Sequence, residues 1–228
     1  MRLGIIGYGR MGRAIHRLAQ QYGFSDFVMI DNEDDWRKKR AEIQNCDVAI
    51  EFSIPQTVLA NLSQCFELQL PVVSGTTGWK EEKEPFLKLW QNQPISFIYG
   101  SNFSIGANLF FKLNAWLAQQ MNLQPQYEVS IEETHHVHKK DAPSGTALTL
   151  ERVILSQFDS KTSIPITSFR EGETVGEHLV NYESAGDLIQ IKHTAHTRDA
   201  FAHGALKAAV WLIRNPGVYD FGEVFGKV

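Results

Sequence analysis

Cysteine is scarce in this chain: Cys46 and Cys65 are the two present among 228 residues. That excludes a disulfide scaffold, and their spacing does not fit a zinc knuckle. Free, buried thiols in a reducing compartment are expected. No apolar run reaches the ~18 residues of a membrane-spanning helix, so no membrane partner is expected. The opening Met-Arg-Leu-Gly-Ile-Ile-Gly enters a strand at once instead of a signal peptide, which points to a cytoplasmic location. Charge is modest, at 21% with a net of −4, and no basic tail suggests nucleic acid as a partner. There is no internal repeat and no low-complexity linker. What is present is a globular composition, 43% hydrophobic and 11% aromatic, long enough for one large domain or two small ones.

Strands and helices alternate through the first half. Leu3 to Ile6 reads as a buried strand, residues 14–19 as a helix closed by Gly23, and Phe27 to Ile30 as a second strand ending at Asp31. The polar stretch Asn32–Asn45 reads as a solvated helix or loop. Strands at 47–52, 71–74 and 95–99 follow, separated by helical segments. This order predicts an α/β fold, a Rossmann-like doubly wound parallel sheet. The pattern changes near Ser101. A helix over 105–120 leads to Tyr127–Glu132, which alternates apolar and polar residues. Further strands are expected at 167–170, 177–182 and 188–193, with a helix at 146–158. A smaller α+β substrate and oligomerisation domain is therefore expected, followed by a last helix near 200–214. The expected division is 1–102, 103–199 and 200–228.

Gly7-Tyr8-Gly9-Arg10-Met11-Gly12 lies between the first strand and the first helix. Gly7 permits the tight turn, Gly9 lets a pyrophosphate approach the backbone, and Gly12 allows close helix–strand packing. The helix N-terminus adds unpaired N–H groups and a positive dipole end. The spacing alone is weak; the strand before it, the helix after it and Asp31 at the next strand end make it a dinucleotide site. Asp31 would accept the ribose hydroxyls and repel a 2′-phosphate, favouring NADH over NADPH. Arg10, Arg13 and Arg37 are candidate phosphate partners and keep NADPH open.

The eight histidines are unevenly placed, with His16 alone in the first half. His135, His136 and His138 precede Lys139 and Lys140, then Asp141-Ala142-Pro143-Ser144-Gly145-Thr146 opens an apolar helix. Pro143 suits a helix start. Cations beside a helix N-terminus suit a carboxylate or phosphate. Histidine suits proton donation near neutral pH. No metal is expected, because adjacent His135 and His136 in a strand point to opposite faces and lysines crowd the segment. Together these features describe a reductase of an acidic small molecule.

The run Glu133-Thr134-His135-His136-Val137-His138-Lys139-Lys140-Asp141-Ala142-Pro143-Ser144-Gly145-Thr146-Ala147 closely resembles the signature of the dihydrodipicolinate reductase family. Matches elsewhere cover nearly the whole chain: Gly9–Gly12, Gly75-Thr76-Thr77-Gly78, Asn102–Gly106, Val175-Gly176-Glu177-His178, and the stretch from His193 to Ala205. The resemblance implies reduction of the dihydrodipicolinate synthase product to tetrahydrodipicolinate, on the diaminopimelate route to lysine, with NADH or NADPH. It implies His135 as the acid and Lys139 as its catalytic partner. His136, Lys140, Gly145 and Thr146 would hold substrate carboxylates. The implied cofactor-binding set is Gly7, Tyr8, Gly9, Arg10, Met11, Gly12, Asp31, Phe52, Gly75, Thr77, Ser101, Asn102 and Phe103. A homotetramer is implied, with the last helix returning to the cofactor domain. Three features depart from common members: the short segment after Asp31, Glu51 in place of the usual Asp, and Ser101. Rival readings are another nucleotide-dependent reductase or a cofactor sensor without turnover. Thiol chemistry is disfavoured, since neither cysteine falls in the second half.

Overall fold

A computed structural model describes residues 1–159 and 162–228. Two compact units are present, one of residues 1–105 and 199–228, the other of residues 106–198.

The first unit is built on six parallel strands. They are β1 (Arg2–Ile6), β2 (Asp26–Ile30), β3 (Val48–Glu51), β4 (Val72–Ser74), β5 (Phe97–Tyr99) and β10 (Val218–Asp220), in the order β10-β5-β4-β3-β1-β2. Helices α1 (Arg10–Ala19), α2 (Glu33–Ile43), α3 (Pro55–Glu67), α4 (Lys80–Leu89) and α7 (Asp199–Arg214) complete it with the short α8 (Phe221–Val224). β3 is buried at all four positions, as a central strand with helices on both faces requires. One face packs Leu3, Ile5 and Ile15 against Leu206, Ala209 and Leu212 of α7. The other packs Ile6 and Val72 against Trp36, Val58, Leu62 and Phe66.

The stretch 32–45, expected as helix or loop, contains α2. Asn32 caps it by accepting the Asp35 N–H at 2.9 Å, with Glu33, Asp34 and Asp35 in the first turn. Ion pairs Asp34–Lys38 (2.5 Å) and Asp35–Lys39 (2.8 Å) cover its exposed side. The first unit extends past the expected limit at residue 102. Phe103 is buried beside Phe221, with ring centroids 4.5 Å apart, and meets Phe52 edge-on. Burial of that ring ties residues 103–105 to the parallel-sheet unit.

The second unit has the mixed sheet β7-β6-β8-β9. Its elements are α5 (Ile105–Met121, from Gly106 onward), β6 (Glu128–His135), α6 (Gly145–Leu155), β7 (Ile166–Arg170), β8 (Gly176–Glu183) and β9 (Leu188–Ala195). β6 pairs in parallel with β7 and antiparallel with β8. Val129, Ile131, Glu133 and His135 alternate onto its buried face. Phe110, Ala118, Leu150 and Ile154 pack there with Ile131, Val180 and Tyr182. The helix expected over 146–158 spans Gly145–Leu155, with Ser144 as N-cap accepting the Ala147 N–H at 3.2 Å. Pro143 lies one residue before the cap, where its missing N–H costs nothing.

Candidate active site

The glycine turn leaves β1 at the switch between β1 and β3, where open α/β sheets bind ligands beyond the strand ends. Gly7 has φ +86°, and a Cβ there would lie 2.2 Å from the Phe52 carbonyl oxygen. A Cβ at Gly12 would lie 2.1 Å from the Gly7 carbonyl oxygen, which forces the helix close to the turn. At Gly9 a Cβ would meet nothing within 4 Å, so the backbone faces open space as a phosphate requires. These residues fit a dinucleotide.

Two cavities flank the turn. One of about 280 Å³ is lined by Gly7, Ile30, Asp31, Trp36, Thr57 and Asn61. The other, of about 360 Å³, is lined by Gly9, Arg10, Met11, Phe52, Gly75 and Thr77. Asp31 accepts the Tyr8 N–H at 2.7 Å, and the Tyr8 hydroxyl lies 2.6 Å from His16 Nδ1. Glu51 is fully buried and joins the turns lining the second cavity. It accepts hydrogen bonds from Ser74 Oγ (2.6 Å), Thr76 Oγ1 (2.9 Å) and the Ser53 N–H (3.0 Å). Burial raises its pKa against those hydrogen bonds. The Asn102 side chain accepts the Ser104 N–H at 2.9 Å, and Ser101 is exposed. The Phe103 side chain belongs to the core.

In the second unit, His135 ends β6 and is 7% exposed. Its Nδ1 pairs at short range with Glu133 Oε2. Glu133 Oε1 accepts Arg170 Nη2 at 2.9 Å and the Ser144 N–H at 3.3 Å. Burial would raise the Glu133 pKa, but hydrogen bonds from Ser168 and Arg170 and the neighbouring His135 bring it below its ordinary value. Burial lowers the His135 pKa, Glu133 opposes that, and Lys139 and Arg170 add to the lowering. His178 is paired across the strands with Glu133. Its ring meets that of His135 at 5.1 Å, and its Nε2 lies 3.1 Å from Ser144 Oγ. Burial pushes its pKa down to about 3, so it is neutral at physiological pH.

The other expected substrate residues fall on the loop and the first turn of α6. Lys139 Nζ bonds both Asp141 carboxylate oxygens at 2.8 Å, a partner the sequence did not reveal. Lys140 and Gly145 are exposed, and Thr146 and His136 are half-buried. Arg170, Ser144 and His178, and Glu133 as the partner of His135, lie outside the expected site residues. Glu133 was accessible through the two-residue period of β6; the others require the strand register.

His135 and His136 alternate along the chain, and the residue that converges with His135 is His178. Glu133, His135 and His178 place ligand-type atoms within 4.8 Å of one another. Arg170 and the Ser144 N–H already occupy one oxygen of Glu133 and His135 the other. That arrangement is a carboxylate whose two oxygens are both taken up by hydrogen-bond partners.

A dinucleotide-binding sheet and a separate unit carrying a carboxylate-paired histidine define an NAD(P)H-dependent oxidoreductase. The profile for dihydrodipicolinate reductase, N-terminus, matches residues 1–103, and that for dihydrodipicolinate reductase, C-terminus, matches residues 106–225. The chain belongs to the dihydrodipicolinate reductase family. It is 39% identical over 234 residues to a 4-hydroxy-tetrahydrodipicolinate reductase of Christiangramia forsetii, covering 98% of this chain and 97% of that protein. It is 33% identical over 255 residues to one of Campylobacter hominis, covering 99% and 97%. The fold is also that of a dipicolinate-bound dihydrodipicolinate reductase from Paenisporosarcina sp. TG-14. That likeness has TM-score 0.77 and 21% identity, over 98% of this chain and 99% of that one. Among the described residues, no helix is long and apolar enough to cross a membrane.

Proposed function

We propose that the chain reduces 4-hydroxy-tetrahydrodipicolinate, the dihydrodipicolinate synthase product, to tetrahydrodipicolinate in diaminopimelate and lysine biosynthesis. The observation that carries this is the buried His135–Glu133 pair beside Lys139 and the N-terminus of α6. NAD(P)H supplies a hydride when bound. The turn from Gly7 to Gly12 offers N–H groups to its pyrophosphate. Phe52, Gly75, Thr77 and the 101–103 backbone border its nicotinamide end. The α6 N-terminus, with Gly145 and Thr146, and the side chains of His136, Lys139 and Lys140 orient the substrate carboxylates. His135 gives a proton to the ring carbon next to the one reduced. Lys139 exchanges Asp141 for a substrate carboxylate as the anion enters.

NADH is the favoured cofactor in this reading. Asp31 lies beside the acidic first turn of α2, and Arg37 is engaged by Asp34 at 3.1 Å. A 2′-phosphate would meet carboxylates there. The chain works as a homotetramer in the cytoplasm, which suits its two free, buried cysteines.

The test is an assay coupled to the synthase, with each cofactor in turn. Oxidation of NADH is expected, and oxidation of neither cofactor rejects the proposal. His135→Ala should lower kcat about 10²–10⁴-fold, the range for a lost acid–base group, with NADH affinity nearly intact. An unchanged kcat removes His135 from the chemistry.

A further inference from the structure

We propose that Glu133 is the positioning residue of the proton donor: it holds Nδ1 of His135, so that Nε2 is the nitrogen that delivers the proton. The inference rests on the proposed reduction. Glu133 and His135 are two positions apart on β6 and share its buried face. Glu133 is fully enclosed, with a side-chain exposure of 0%. Its oxygens are divided between two tasks. Oε1 is fixed by Arg170 from β7 and by the Ser144 N–H at the α6 cap. Oε2 is thereby aimed at His135 Nδ1. A carboxylate so held accepts an N–H and keeps the proton on Nδ1 before and after transfer.

The rest of the cluster leaves Nε2 clear. No hydrogen bond among the described residues takes it. A Cβ on Gly176 of β8 would come within 3.1 Å of Nε2, so glycine there keeps that space open. His178, also on β8, is turned to Ser144 and packs its ring against His135 without competing for Glu133. The charges facing His135 are Glu133 from its own strand, Arg170 from β7 and Lys139 from the following loop, the last held by Asp141. Glu133 is the anion in direct contact and counters the two cations.

The proton balance follows. Protonated His135 breaks its Nε2–H bond and a C–H bond forms at the substrate carbon. The 4-hydroxyl first leaves as water, giving a conjugated ring; the carbon that carried it, next to the one protonated, takes the cofactor's hydride, so the ring gains two electrons and the cofactor is oxidised. His135 is left neutral, its Nδ1–H still donated to Glu133, and solvent restores the Nε2 proton. Without the Glu133 charge, the protonated ring is disfavoured.

The experiment compares wild type, Glu133→Gln, Glu133→Asp, His135→Ala and the Glu133→Gln/His135→Ala double variant. The His135 ring titration is followed by NMR in the cofactor-free protein, and kcat against pH is measured with the synthase product. Glu133→Gln should lower the His135 titration and the descending limb of kcat by about 1–3 pH units, the usual effect of an adjacent opposite charge. At pH 7.5 kcat should fall about 10- to 100-fold, within the loss expected for the acid itself, with the NADH KM changed less than twofold. Glu133→Asp keeps the charge and should fall between. In the His135→Ala background, Glu133→Gln should cost nothing further. An unmoved NMR titration and pH limb, or an equal loss in both backgrounds, would overturn the proposal. Failure of wild type to oxidise either cofactor rejects the proposed reduction instead, while the NMR titration still decides the Glu133–His135 coupling.

Discussion

The carboxylate of Asp31 accepts the backbone N–H of Tyr8 at 2.7 Å, joining the end of β2 to the glycine turn. The same side chain thus shapes the turn and lines one of the two cavities beside it. Asp31→Asn keeps an acceptor for Tyr8 and removes the negative charge. The ratio of kcat/KM for NADPH over NADH should rise about tenfold, equivalent to about 1.4 kcal/mol of relieved repulsion. Steady-state kinetics with both cofactors check this; an unchanged ratio would place the 2′-hydroxyl elsewhere.

Gly75 and Phe52 are in similarly close apposition. A Cβ on Gly75 would stand 2.1 Å from Phe52 Cε1 and 2.2 Å from Cζ. The ring cannot retreat freely, because it packs edge-on against buried Phe103. Gly75→Ala should displace the ring into the cavity it lines, raising the NADH KM several-fold. Overpacking of this kind costs about 1–3 kcal/mol, visible as a lower midpoint in urea. An unaltered KM and midpoint would show that the ring has room.

How far these relationships could be read in the sequence depends on range. The parallel strands were legible because β1, β3 and β4 are short apolar runs bounded by turns. The strand β10 was not, because three residues after Gly217, exposed or half-buried, carry no periodic signal. α2 was ambiguous, since its buried residues are Trp36 and Ile43 alone. His135 was accessible from its neighbours in sequence. Its partners Arg170 and His178 lie on separate strands, and only the β6–β7 and β6–β8 registers bring them to Glu133 and His135. The Lys139–Asp141 pair has no signal of its own in the sequence, because a loop fixes no spacing between side chains.

Acid stability should depend on His178. Burial pushes its folded-state pKa to about 3, against an unfolded value near 6.5. The unfolded chain therefore binds a proton that the folded chain refuses between those values. The stabilising difference is fully present above pH 6.5 and is lost as pH falls towards 3, with a slope up to about 1.4 kcal/mol per pH unit. His178→Asn preserves a polar partner for Ser144 and does not titrate. Urea denaturation from pH 7 to pH 4 should show a shallower fall in stability for the variant than for wild type. Parallel curves would mean that His178 is protonated in the fold.

The apolar stripe on α5 tests the assembly. Leu109, Leu113 and Trp116 recur at helical spacing and are 56%, 47% and 59% exposed, while Phe110, Ala118 and Met121 on the same helix enter the core. An amphipathic helix places such residues outward when another surface covers them. A second copy of the chain would do so, and a twofold interface repeats each contact on both partners. Covering one such side chain contributes about 1.5–3 kcal/mol, so a charge at this position counts against the interface twice. Trp116→Glu should lower the mass measured by light scattering from that of a tetramer to a smaller species. NADH binding should persist, because the glycine turn and its cavities lie in the other unit. A variant that remains tetrameric would exclude the α5 stripe from the interface.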